Sequence, residues 1–139
     1  MNAERWLKVV LLLFGVPAAL AIFPLLMPFD WMAAVHARLG MGELPEKPIV
    51  DYLARYASAF SALYGIVLIL LSTDVRRYAP VITLQAVTVI VLSTLAAIFG
   101  FRAGMPWWWM VGDLASCWFA CGAMLFLQTR IPHAPGLSA

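Results

Sequence analysis

Residues 104–128 read GMPWWWMVGDLASCWFACGAMLFLQ, and this stretch decides the fold class. A Gly–Met–Pro turn leads into three consecutive tryptophans and then an apolar run interrupted by one acid, Asp113. The run is long enough to cross a hydrocarbon core of about 30 Å at about 1.5 Å per helical residue. Tryptophan gathers where a membrane meets water, because its ring is apolar and its N–H is not. An acid inside such a run is expensive in lipid and marks a candidate functional site.

Working outward, the same reading applies three more times, giving spans at about 9–28, 49–73, 80–101 and 106–128. The first holds Pro17 and Pro24, which membrane helices tolerate because neighbouring groups re-satisfy the freed carbonyls; a kink is expected near Pro17 or Gly15. A signal peptide is the rival reading, since Arg5 and Lys8 precede an apolar run that contains Ala19–Leu20–Ala21, similar to a cleavage site. The run continues through IFPLLM without a polar region, so a retained membrane helix is expected. Residues 28–47 form the longest polar segment. Within it Asp30 suits an N-cap, Trp31, Met32, Val35 and Leu39 share one helical face, and Gly40 can end the helix. Residues 30–40 therefore read as a short amphipathic helix lying in the interface of the first outer loop. Pro48, Pro80 and Pro106 suit helix starts. Asp51 and Arg55 are spaced to pair. Ser58, Ser61 and Gly65 make a small-residue face that lets another helix approach closely.

Composition agrees. Of 139 residues, 64% are hydrophobic and 12% charged, with a mean hydropathy of +0.91. That leaves too few polar residues to coat a soluble domain. The fold expected is all-α, a single integral-membrane domain over 1–139 built as a four-helix bundle. The formal net charge of +2 is small and scattered, which excludes a nucleic-acid footprint. Arg76 and Arg77 make the 74–80 turn the densest basic loop, so the positive-inside rule puts that turn and both termini in the cytoplasm. The location expected from this pattern is a membrane crossed four times.

The chemistry candidates are few. Asp113 and Arg55 are expected on the same side at similar depth, where they can pair. Such a pair reads first as an ion pair fixing helix register, and second as a polar site for a headgroup, quinone or proton. Tyr52, Tyr56 and Trp108 are the candidate walls of that site. His36 and Glu43 are the remaining acid–base groups on that side. Cys117 and Cys121 share a helix face with Asp113 and Ala120. A disulfide between them would strain the helix, and no further ligands for a soft metal accompany them, so they read as packing residues. His36 and His133 are expected on opposite sides of the membrane and cannot clamp one haem. No metal or resident cofactor is expected; a bound lipid or quinone is the ligand class such a site would take. Gly100-x-x-x-Gly104 reads as turn chemistry rather than a dimer face. The nucleophile-elbow, zinc-protease, phosphate-loop and dinucleotide motifs are all missing from the sequence.

The run YLARYASAFSALYGIVLILLSTDVRRYAPVI, followed by AGMPWWWMVGD, resembles a family of small, uncharacterised bacterial four-helix inner-membrane proteins. The marks are His36 and Arg38, the Gly–Glu–Leu–Pro turn at 42–45, the turn at 74–78 and the start at 104–109. In layout alone the chain is similar to DoxX-like four-helix proteins. The resemblance implies architecture and no activity. Three functions follow from these observations. The first is a non-catalytic accessory or assembly subunit, with a membrane-protein partner or a second copy in the bilayer. The second is a lipid, isoprenoid or quinone module with an outer-leaflet pocket. The third is a membrane-lipid enzyme using His36, Glu43 and Asp113.

Overall fold

The computed structural model describes residues 2–131. Of these 81% are helical and none lies in a strand. The helices are α1 (Ala3–Ala19), α2 (Ile22–Leu26), α3 (Phe29–Arg38), α4 (Pro48–Thr73), α5 (Ala79–Arg102) and α6 (Trp107–Thr129). Four stretches are long and apolar enough to cross a membrane: Ala3–Leu26, Pro48–Thr73, Ala79–Arg102 and Trp107–Thr129. The tail beyond 131, including His133, lies outside the described residues.

The first span differs from the sequence expectation at both ends. Helix begins at Ala3 rather than near Val9, because Leu7 and Leu11, one turn apart, are fully buried and fix the polar start as helix. The helix runs unbroken through Gly15 and Pro17 and stops at Leu20–Ala21. That break belongs to Pro24, which has no N–H to return to the Leu20 carbonyl four residues back. The Phe23 N–H donates to Leu20 O instead, at 3.0 Å. Asp30 is also displaced from its expected role. Pro28 occupies the N-cap of α3 and Asp30 sits in the first turn without a capping bond, where its charge still complements the helix dipole.

The residues fall into two compact units. One is Leu13–Leu70; the other joins Met1–Leu12 to Leu71–Ala139. In the first, α1 and α4 cross at two buried glycines. A Cβ on Gly65 would run into Ala19 N, Gly15 O and the Ala18 carbonyl carbon, and one on Gly15 would lie 2.9 Å from Leu68 Cβ. The backbones are in contact here at Gly65, one member of the small-residue face of α4, while Ser61 on that face is exposed.

The second unit is organised by the α5–α6 hairpin. Its core includes Leu71, Val75, Ile82, Ala86, Met110, Cys121 and Met124. Met110 Sδ occupies the space that a Gly100 side chain would need. Gly104, at φ +80°, closes α5. The Met105 N–H donates to Gly100 O (3.0 Å) and the Gly104 N–H to Phe101 O (3.2 Å), the paired bonds of a Schellman ending. The Gly100 and Gly104 pair thus serves the turn, as read from sequence, and Gly100 also packs against Met110, which the sequence reading did not include. Gly40, at φ +74°, ends α3 in the same way, with Met41 N–H to His36 O and Gly40 N–H to Ala37 O. Polar groups inside the spans find partners across the hairpin. Gln128 donates to Ala79 O at 2.8 Å, Thr83 Oγ1 lies 3.0 Å from Gln128 Oε1, and Trp118 Nε1 donates to Thr94 Oγ1 at 3.2 Å. Just before α5, Arg76 pairs with Glu4, and Lys8 donates to Thr73 O at 3.3 Å.

Candidate functional site

Arg55 is held on α4 with about a third of its side chain exposed. Its Nε donates to Asp51 Oδ1 at 2.9 Å, the one-turn pair read from sequence. Its Nη1 donates to Leu25 O at 2.7 Å. That carbonyl sits in the last turn of the short α2, where no helical N–H follows to take it. Arg55 therefore serves as a cap reaching across from α4. Arg55→Met keeps the stem and loses both bonds. It is expected to lower unfolding stability by about 1 kcal/mol, since a charge-assisted bond is worth more than that but this one is partly screened by solvent. A denaturant titration in mild detergent reads the change.

Tyr52 and Tyr56 stack on each other, with centroids 5.6 Å apart, and Tyr56 continues onto Phe60 at 4.7 Å. All three are exposed, one helical turn apart along an outer face of α4. His36 Nδ1 lies 3.1 Å from Gly42 O, so the ring fastens the turn that its own carbonyl helps to close. Glu43 is exposed in the following loop. Near it in sequence, a shallow groove of about 310 Å³ is lined by Asp30, Glu46, Lys47 and Asp51 among others.

Asp113 lies on the outside of α6. It is exposed, and neither ion pair among the described residues involves it. Its backbone carbonyl accepts from Ser116 Oγ at 2.8 Å. With Trp108, Trp109, Gly112 and Ser116 it lines an open groove of about 320 Å³. The two indoles stand edge to face, 5.8 Å apart and 80° inclined. A Cβ on Gly112 would meet nothing within 4 Å, so the groove is a notch in the helix surface between the rings and Ser116. Trp108 and Asp113 are thus brought together. Arg55 is engaged within its own stretch by Asp51 and Leu25.

Cys117 and Cys121 are free thiols. Cys121 is 1% exposed beside Ala120 and Met124 in the hairpin core, and Cys117 is half-buried. Maleimide is expected to label about one thiol per folded chain in detergent, Cys117, with Cys121 reacting only after unfolding, as accessibility governs thiol labelling. Mass spectrometry of the digested protein locates the label. No group of three His, Cys, Asp or Glu able to hold a metal occurs among the described residues.

Sequence reasoning did not pair Thr83 with Gln128 or Trp118 with Thr94. The available signal was the cost of an unsatisfied polar group in lipid, which obliges each such residue to find a partner. Gln85 is a partial exception. Its Nε2 lies 3.8 Å from Met124 Sδ, while its buried Oε1 has no partner. Compared with known proteins, the chain matches no family model, no curated protein and no solved structure.

Proposed function

We propose that this is a non-catalytic accessory or assembly subunit that packs against a larger membrane complex, with the outer face of α6 as its docking surface. In this reading the four spans form a bundle in a bacterial inner membrane and both termini face the cytoplasm. The exposed apolar residues Trp31, Val35 and Leu39 support a position for α3 in the outer interface.

One observation carries the proposal: the acid of the fourth span is turned outward, beside the open Gly112 and the exposed Ser116. Asp113 lies six residues inside the start of α6, about 9 Å by axial rise. A carboxylate turned to lipid costs about 2.5–3.5 kcal/mol at the centre of a span on insertion scales and less at the shallower level of Asp113. A protein neighbour removes much of that cost. Gly112 and Ser116, one turn apart, let a neighbouring backbone approach closely.

A second reading, a lipid, isoprenoid or quinone module, is favoured by the grouping of Trp108, Trp109 and Asp113 in one groove. It ranks behind the first because that groove is lined by α6 alone and does not enclose a ligand, whereas small-molecule sites bury most of their ligand's surface. Native mass spectrometry of protein released gently from its own membranes separates the two. The accessory reading expects a stoichiometric protein companion that Gly112→Leu removes. A retained lipid without any companion would count against it.

A further inference from the structure

Building on the accessory-subunit reading, we propose that the notch on α6 receives a lysine or arginine side chain from a partner transmembrane helix. The Cα–Cβ bonds of a helix tilt toward its N-terminus. The Asp113 carboxylate therefore leans toward Trp109, one turn above it. A cation entering over Gly112 meets that carboxylate and two indole rings, which attract cations through their π faces. Among the described residues no ion pair involves Asp113.

Depth selects a helix over a lipid headgroup. The 23 residues of α6 span about 35 Å, only about 5 Å more than the hydrocarbon core. Shared between its two ends, that excess leaves Asp113 some 6 Å inside the hydrocarbon and Ser116 deeper still. Headgroup amines stay at the surface, whereas a lysine or arginine on a spanning helix can sit at this level. The pair Gly112 and Ser116 provides the close approach that such a helix needs.

The test uses the full-length protein carrying a donor fluorophore in phosphatidylcholine vesicles. The probe is a synthetic leucine-rich transmembrane peptide with an acceptor dye and one lysine seven residues from one end. The control peptide has glutamine there. The lysine peptide is expected to associate about 5- to 30-fold more tightly, the range for one interhelical polar contact in lipid. Asp113→Asn and Gly112→Leu should each abolish the preference; both positions are exposed, so the fold is retained. Equal binding of the two peptides overturns the inference, as does a preference that survives Asp113→Asn. Loss of the preference when half the lipid is phosphatidylethanolamine also overturns it, because the notch then takes a headgroup. The accessory reading is judged separately, by photo-crosslinking from Ser116 in native membranes. A protein adduct there without any lysine preference keeps that reading and ends this one.

Discussion

Gly65→Leu is expected to cost about 3 kcal/mol or more of unfolding stability, the upper range of overpacking effects. At this position the neighbours are the backbone atoms of Ala18, Ala19 and Gly15. Backbone cannot rotate aside as a side chain can, so α1 and α4 must separate, and the contacts around Leu68 are lost with them. Gly65→Ala should already be harmful. Gly112→Leu is the matched control: nothing lies within 4 Å of its Cβ, and a change within about 0.5 kcal/mol is expected, as for surface substitutions generally. Unfolding in detergent by denaturant titration measures all three. Equal stability of the Gly65 and Gly112 variants would show that the helices do not cross at Gly65.

Gly104→Val carries the next largest effect. The residue sits at φ +80°, where a β-branched side chain is a steric outlier. A left-handed conformation costs an L-residue about 1–2 kcal/mol, and valine stands at the upper end. Relief of that strain would break the bonds from Met105 and Gly104 to the Gly100 and Phe101 carbonyls. Those bonds set where α5 stops and where Trp107 begins α6. A loss of about 2 kcal/mol is expected, with Gly104→Asn losing less because asparagine tolerates this region better. Hydrogen exchange should show fraying confined to the last turn of α5 and the first of α6.

The spans were legible in the sequence because crossing lipid demands only length and apolarity, and both are visible residue by residue. Helix ends governed by local chemistry were legible too: Gly40 stops α3, Pro48 opens α4 and Gly104 stops α5. The break in the first span was not. Pro17 and Pro24 look alike in sequence, and which one interrupts the helix depends on what else can satisfy the freed carbonyl. For the Leu20 carbonyl that Pro24 frees, the partner is the Phe23 N–H; the end of α2 leaves a further carbonyl, Leu25 O, whose partner Arg55 is thirty residues away. The orientation of Asp113 was hidden for a different reason. In a membrane helix the lipid-facing and protein-facing sides are both apolar, so the periodicity that exposes the inner face of a soluble helix is nearly absent. The i,i+4 rule gave Arg55 its bond to Asp51, but no local rule supplied its second.

The proposed docking requires that α6 present Gly112, Asp113 and Ser116 to another protein. The most direct test places a photo-crosslinking phenylalanine at each of positions 111–119 in turn and irradiates native membranes. The account predicts one discrete protein adduct whose yield rises and falls with the helical period. It should be strong at 116 and 119, weak at 111, 114 and 118, and lost at 112 and 113, where the probe itself fills the notch or removes the acid. Adducts to lipid alone, or a protein adduct of equal yield all around the helix, would contradict it.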